Sequence, residues 1–186
     1  VGPGIGIDND DWQKSKDYLL SFEGLLILDA DALNRISESE LGAKFFLERK
    51  FKTWITPHCR EFNRLFPHIK AETNAGLALN AAKEFNISVL LKGANSIVAD
   101  NKKAWQLFGT DSQTARAGLG DLLSGFLAGS SAMDLTLCRK ITTDFFVKYV
   151  LLHSFAASKS RSGSNAYVIA DELSQLMRNS KTRQIS

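Results

Sequence analysis

Short runs of consecutive apolar residues alternate along the chain with segments in which apolar residues recur at a helical period. The run at 25–28 is uninterrupted, the run at 87–91 is interrupted only by Ser88, and a short strand is expected at 53–56. Strands that are apolar on both faces are typical of a parallel sheet covered by helices. Two further segments, 97–100 and 104–108, flank a short polar stretch and predict a hairpin.

The intervening segments predict amphipathic helices. Ser39 is the expected N-cap of the second helix, Asn86 ends the third, and a loop is expected at 158–165. The predicted helices span residues 9–23, 39–50, 70–85, 120–131, 136–158 and 170–179. Alternating strands and helices indicate an α/β layered fold, and the length of 186 residues fits a single domain over 1–186.

Composition narrows the class of protein. Hydrophobic residues make up 44% of the chain and charged residues 23%, which is typical of a globular domain with a full core. The formal net charge is +3 and the basic residues are spread out, so we expect no nucleic-acid partner. No apolar run approaches bilayer length, which argues against a membrane span. Cys59 and Cys138 are far apart and lack metal-ligand spacing, which favours a reduced, cytoplasmic protein.

The first candidate for chemistry is a glycine turn followed by a helix that carries a carboxylate. Gly118 and Gly120 permit a tight turn, and the helix N-terminus behind them would offer unpaired N–H groups to an anion. Asp121 is a poor anion ligand in such a place, so it is better interpreted as a general base beside a phosphoryl cradle. An aspartate in the first turn of a helix is also an ordinary capping residue, and this alternative stays open.

Polar residues also follow each predicted buried strand. Asp29 and Asp31 come after the first strand, His58 after the second and Lys92 after the third. Open α/β sheets bind ligands at the carboxyl ends of their strands. For Asp29 and Asp31, helix capping and ligand binding are equal alternatives. For His58, a substrate contact and a structural role are equally favoured. Lys92 either reaches a phosphate or simply marks the end of its strand. His68 and His153 are expected to have no role in a site.

Five motifs in order over residues 1 to about 130 give the chain a family resemblance, and the C-terminal helices are similar as well. The motifs are Gly2-Pro3-Gly4-Ile5-Gly6, Leu28-Asp29-Ala30-Asp31-Ala32-Leu33, Thr56-Pro57-His58 with Glu61-Phe62, Leu91-Lys92-Gly93-Ala94, and Ala117-Gly118-Leu119-Gly120-Asp121-Leu122-Leu123-Ser124-Gly125. Together they closely resemble the ADP/ATP-dependent NAD(P)H-hydrate dehydratase family. The resemblance implies a ribokinase-like layered sandwich, with a mostly parallel sheet and helices on both faces.

The resemblance also implies a metabolite-repair reaction that returns NADHX and NADPHX to NADH and NADPH with ADP or ATP as co-substrate. Asp121 would deprotonate the ring hydroxyl and the amides near Gly118 and Gly120 would hold the transferred phosphoryl group. Mg²⁺ is expected with the nucleotide phosphates, although no residue is a recognisable metal ligand. Partners implied are a second copy of the chain and an epimerase domain, fused or in the same pathway. By carry-over, the hydrated dinucleotide would contact Gly6, His58 and Asp121, and the adenine nucleotide would contact Lys92, Gly93, Ala94, Asn95, Ser96, Gly118 and Gly120.

The sequence departs from the family pattern in several places. Arg60 replaces a usual glycine, Leu119 a usual Ser or Thr, Asp111 a common Asn, and Arg116 and Ala117 a common Thr and Gly. Family members also carry strands and a glycine-containing substrate loop before the first motif, so we expect the numbered chain to begin within a domain. A small-molecule kinase of the same fold, acting on an alcohol, and a catalytically inactive nucleotide-binding subunit are the alternative functions.

Overall fold

The structure, a computed structural model, describes residues 1–6, 9–108, 118–137, 139–159 and 165–182. The chain forms two compact units, Val1–Gln106 and Leu107–Ser186, which are described in turn. The prediction of a single domain over 1–186 stays a prediction.

A five-stranded sheet organises the first unit. Its strands are β1 (Leu26–Leu28), β2 (Thr53–Ile55), β3 (Ser88–Leu91), β4 (Ser96–Ala99) and β5 (Ala104–Leu107), and they lie in that order across the sheet. β1 pairs with β2 and β2 with β3 in parallel, whereas β3 and β4 are antiparallel. The sheet is therefore mixed, with a parallel half formed by the three predicted buried strands and the predicted hairpin beside it.

Helices of the first unit cover this sheet through one hydrophobic core. They are α1 (Asn9–Ser21), α2 (Ala30–Glu38), α3 (Lys44–Glu48), α4 (Cys59–Leu65) and α5 (Asn74–Phe85). The strand residues in that core are Leu26, Leu28, Ile55, Val89, Leu91, Ile97 and Ala99. The alternate strand residues are buried as well, namely Ile27, Trp54, Leu90 and Val98. Both faces of β1 to β4 are therefore covered, as the mainly apolar strand sequences predict.

The predicted helix over 39–50 is wrong at its start. Ser39 is the C-cap of α2, and its N–H donates to the Ile36 carbonyl. The separate helix α3 begins only after Gly42, whose φ of 50° breaks the helical path. α2 itself was not predicted as a helix, although capping by Asp29 or Asp31 was an equal alternative, and Asp29 is its N-cap.

The start of α5 also differs from its prediction. The helix begins at Asn74 rather than at residue 70, because the Thr73 side chain accepts a bond from the Gly76 N–H and caps the helix there. Its predicted end is confirmed, since Asn86 is the C-cap and adopts the left-handed conformation.

Helices make up most of the second unit. They are α6 (Leu119–Thr136), α7 (Thr143–Lys159) and α8 (Ala166–Thr182). α7 begins at Thr143 rather than at 136, because α6 continues to Thr136 and Leu137 closes it. α8 begins four residues before its predicted start. Most of the predicted loop at 158–165, and Cys138, lie outside the described residues.

A buried polar contact joins α6 to α7. The Tyr149 hydroxyl donates to the Asp134 carboxylate, and Arg139 binds the other carboxylate oxygen at 2.9 Å. Burial and the Asp134 carboxylate raise the pKa of Tyr149, so the phenol stays protonated. Within the described ranges, no helix combines the length and apolarity that crossing a bilayer requires.

Candidate functional site

The carboxyl ends of β1, β2 and β3 bring three of the predicted site residues to one edge of the sheet. The Lys92 ammonium lies 2.8 Å from the Asp29 carboxylate. The Lys92 N–H donates to the Pro57 carbonyl at 2.8 Å, so the parallel ladder continues past the strands and places His58 beside Lys92. Asp29, His58 and Lys92 therefore share the edge at which parallel sheets bind ligands.

Asp29 and Lys92 form a largely buried ion pair. The side chains are 2% and 26% exposed, respectively. Asp29 also caps α2, because its carboxylate accepts the Ala30 N–H at 2.9 Å. Capping is thus the observed role of Asp29. The Lys92 charge is already partnered by a carboxylate, so any phosphate contact by Lys92 has to coexist with that pair.

His58 is the N-cap of α4, a role that its position after a strand end did not reveal. Its ring Nδ1 accepts hydrogen bonds from the backbone N–H groups of Arg60 and Glu61, and the backbone N–H of His58 donates to the Glu61 carboxylate at 2.8 Å. Because Nδ1 accepts hydrogen bonds, this network assigns the proton of the neutral ring to Nε2. The side chain is 48% exposed, so a bound molecule can still reach the ring. Arg60 follows in the first turn of α4 and is exposed.

The glycine-rich segment at residues 1–6 lies against the same strand end. The Val1 nitrogen donates to the Ile27 carbonyl, and the Asp29 N–H donates to the Val1 carbonyl at 3.1 Å. Gly2 has a φ of 141°, and a Cβ at this position would lie 1.8 Å from the Asp29 carbonyl oxygen. A glycine is required there by this close approach.

Gly6, an expected substrate contact, is held from both sides by α2. Its N–H donates to Asp31 at 3.3 Å, and its carbonyl accepts two bonds from Arg35, at 2.8 and 2.7 Å. Arg35 is buried, with 6% of its surface exposed. Sequence reasoning missed Arg35. The signal that could have found it is the Asp31–Arg35 spacing, which places both charges on one face of a helix.

The turn between β3 and β4 holds the remaining residues expected to contact nucleotide in this unit. Gly93, Ala94 and Asn95 are exposed, whereas Ser96 is buried and its hydroxyl donates to the Gly93 carbonyl at 3.3 Å. The exposed part of this turn therefore presents mainly backbone and one amide side chain. Contact with a nucleotide stays a prediction for all of these residues.

In the second unit, the N-terminus of α6 has the geometry expected of the glycine turn. Gly118 is the N-cap in the left-handed conformation, with a φ of 80°. The first bond of the helix runs from the Leu122 N–H to the Gly118 carbonyl, at 2.9 Å. The N–H groups of residues 119–121 thus have no partner within the helix, which is the geometry of an anion site at a helix N-terminus. Asp121 lies exposed in this first turn. Asp111, Arg116 and Ala117 lie outside the described residues.

A groove between α6 and α8 begins at this turn. It has a volume of about 460 Å³, and Asp121 and Ser174 supply its polar side chains. The remaining lining is apolar or glycine and comprises Leu122, Gly125, Phe126, Ala170, Leu173 and Met177. The carboxylate of Asp121 therefore borders an apolar space large enough for a small molecule.

His153 on α7 contacts the same turn from within the fold. The side chain is buried, and the ring is hydrogen-bonded to the backbone of Leu119. Burial lowers its pKa to about 4, and the bond to Leu119 acts in the opposite direction. The ring is therefore neutral near pH 7 and supports the first turn of α6.

Comparison with known proteins adds the family context. A family model described as NAD(P)H-hydrate dehydratase matches residues 1–179. A bifunctional NAD(P)H-hydrate repair enzyme Nnr from Synechocystis sp. is 35% identical over 130 residues, which cover 69% of this chain and 24% of that protein. The enzyme of the same name from Thermofilum pendens is 28% identical over 183 residues, covering 96% of this chain and 34% of that protein.

Solved structures show the same fold. An ADP/ATP-dependent NAD(P)H-hydrate dehydratase from Bacillus subtilis, co-crystallized with ATP/Mg²⁺, matches with a TM-score of 0.73 at 21% identity, over 96% of this chain and 63% of that one. A ribokinase-like superfamily protein from Enterococcus faecalis matches with a TM-score of 0.79 at 23% identity, over 96% and 62%. The predicted ribokinase-like α/β fold is confirmed. The chain spans about a quarter to a third of these curated relatives and less than two thirds of these solved chains.

Proposed function

Since the chain belongs to the NAD(P)H-hydrate dehydratase family, we propose that the protein returns hydrated NADH and NADPH to the reduced dinucleotides in a reaction driven by ADP or ATP. The observation that carries this proposal is the N-terminus of α6. There a left-handed glycine leaves three backbone N–H groups without helical partners beside an exposed carboxylate.

The roles proposed for this turn follow from its chemistry. Asp121 takes the proton of the ring hydroxyl as the hydroxyl oxygen attacks the terminal phosphoryl group of the nucleotide, and the shortened nucleotide leaves with the bridging oxygen. The N–H groups next to Gly118 and Gly120 stabilise the charge on the transferred group. Phosphate then leaves with the electrons of its C–O bond as the lone pair of the ring nitrogen forms a C=N bond, and loss of a proton from the adjacent ring carbon to solvent re-forms the conjugated ring. The positive end of the α6 dipole favours an anionic phosphoryl group bound at these N–H groups.

The edge of the first unit supplies the proposed binding residues. Gly6 and His58 would contact the hydrated dinucleotide, because Gly6 is exposed and the His58 ring is half exposed, with its Nε2 3.5 Å from a Glu61 carboxylate oxygen. The residues from Lys92 to Ser96 would contact the adenine nucleotide through the exposed part of their turn. The Asp29–Lys92 pair limits how far the Lys92 ammonium can serve a phosphate.

Mg²⁺ fits this proposal only as a partner of the nucleotide. Among the described residues, no three His, Cys, Asp or Glu side chains are grouped closely enough to hold a metal ion. Mg²⁺ is commonly bound by substrate phosphates, waters and one or two carboxylates, so a protein cage is unnecessary. When bound it would neutralise phosphate charge.

The proposal also includes an epimerase partner, an oligomeric state and a cellular location. Two of the similar proteins are named bifunctional repair enzymes, which supports an epimerase partner, fused or acting in the same pathway. A homo-oligomer and a cytoplasmic location are proposed from the family resemblance and the composition.

The decisive test replaces Asp121 by Asn in the full-length protein and follows the recovery of reduced-nicotinamide absorbance from the hydrate. Losing a positioned base is expected to lower kcat at least ~100-fold. Asp144→Asn is the matched control, because Asp144 occupies the first turn of α7 and carries the same helix-dipole effect. Near-normal turnover by Asp121→Asn would contradict the assignment.

The wild-type protein decides between the function classes. A dehydratase restores the absorbance with ADP or ATP, whereas a kinase consumes ATP only when an alcohol acceptor is present. An inactive subunit does neither.

A further inference from the structure

Two charged side chains from one turn of α2 form hydrogen bonds with the peptide backbone of Gly6. Asp31 accepts the Gly6 N–H at 3.3 Å, and the Nε and one terminal nitrogen of Arg35 donate to the Gly6 carbonyl at 2.8 and 2.7 Å. Residues one helical turn apart lie on the same helix face. A single face of α2 therefore fixes both polar groups of one residue in the loop.

Arg35 is suited to this position by its burial and by the shape of its side chain. Only 6% of its surface is exposed, although it lies on a helix whose other buried residues are apolar. Its planar guanidinium places two donors on one carbonyl oxygen, which a lysine cannot do. Hydrogen bonds from an ionised donor are also stronger than neutral ones.

Gly6 itself is both constrained and accessible. Its φ of 71° lies in the left-handed region, and it is exposed. A Cβ placed on Gly6 would meet no described atom within 4 Å, so the space beside its Cα is open. Asp31 and Arg35, here called the clamp, therefore hold Gly6 in one conformation and leave it exposed.

We propose that Arg35 and Asp31 are positioning residues that hold Gly6 in the conformation that contacts the hydrated dinucleotide. This inference rests on the proposed function, because it assigns the clamp to the dinucleotide and not to the adenine nucleotide. It adds a specific requirement for the two side chains beyond the glycine motif itself.

The test compares Arg35→Met with Arg35→Lys in the full-length protein. Arg35→Met is expected to raise KM for the hydrated dinucleotide about tenfold and to leave kcat and KM for ATP within about twofold. Arg35→Lys should recover part of the loss, since one donor remains. Asp31→Asn should be milder than Asp31→Ala, because its amide oxygen can still accept the Gly6 N–H. Arg64→Met is the control, as Arg64 binds Asn34 on the same helix.

Amide hydrogen exchange provides a second readout that needs no turnover. Arg35→Met should speed exchange in the peptide covering residues 1–6, while exchange in the strands stays as in the wild type. Equal rises in both KM values, or faster exchange throughout the first unit, would overturn the inference and show general destabilisation. An unchanged KM for the dinucleotide would overturn it and leave the proposed function intact. An inactive wild type would instead overturn the proposed function, and the assignment to dinucleotide with it.

Discussion

The Asp29–Lys92 ion pair allows structural and binding roles to be separated by a double-mutant cycle. Lys92→Met removes the cation and leaves a carboxylate that is 2% exposed, with its cap on α2 as a remaining partner. Removing one member of a buried pair costs about 3–5 kcal/mol. Lys92 is 26% exposed and part of the pair is screened by water, so we expect a loss of about 2–3 kcal/mol in the free energy of unfolding.

The reciprocal change is expected to be milder. Asp29→Asn keeps an N-cap, because asparagine caps helices about as well as aspartate. The freed Lys92 ammonium is close enough to solvent to hydrate, so about 1–2 kcal/mol should be lost. The double variant has no unpaired buried charge, and its loss should be smaller than the sum of the two single losses by at least about 1 kcal/mol.

Thermal and urea denaturation of the full-length protein measure this coupling, and KM for ATP is measured on the same four proteins. If Lys92 also contacts phosphate, Lys92→Met raises KM for ATP and Asp29→Asn does not restore it in the double variant. A coupling below about 0.3 kcal/mol would refute the ion-pair reasoning, since independent sites add within that margin.

Two other buried groups give simpler predictions. Arg49 is buried and donates to the carbonyls of Leu19, Phe22 and Gly24 at the end of α1. Arg49→Met should therefore lower the free energy of unfolding, measured by thermal denaturation, by about 3 kcal/mol. Arg49→Lys lacks the planar guanidinium and should restore less than half of this loss, so full restoration would contradict the geometry. The pKa of His153 is about 4 in the folded protein, below the value of 6.5 in the unfolded chain, so between these pH values the unfolded chain binds one more proton than the folded protein. The free energy of unfolding should therefore fall by about 3 kcal/mol as the pH decreases from 6.5 to 4. In urea titrations His153→Gln should lack this slope, and parallel curves would contradict the assignment.

The sequence was sufficient to predict the framework of the fold. Short, mainly apolar segments identified β1 to β3, and the residues that follow these strands share one edge because parallel strands end on the same side. The helix α2 escaped prediction because its first residues, Asp29 to Asp31, are typical of both a loop and a helix N-terminus. Periodicity does not decide between these states, whereas the observed bond from Ala30 N–H to Asp29 does.

Side-chain partners could not be predicted in the same way. The Asp29 and Lys92 side chains meet across 63 residues, and Arg35 reaches Gly6 across 29. Such contacts depend on strand register and on the direction in which a loop returns, neither of which a residue type encodes locally. The sequence therefore predicted the position of Lys92 at the strand end correctly, but it did not predict its ion pair with Asp29.

These partners change how recognition at the sheet edge is understood. Lys92 pairs with Asp29, and Asp31 and Arg35 hold the backbone of Gly6. Charges that are satisfied by the protein keep the edge rigid, and they add little attraction for a distant ligand charge. The exposed groups at this edge include the His58 ring, Gly6, the turn after Lys92 and the Arg60 side chain. The backbone N–H groups at the start of α6, which have no partner within that helix, have the geometry that suits a phosphate.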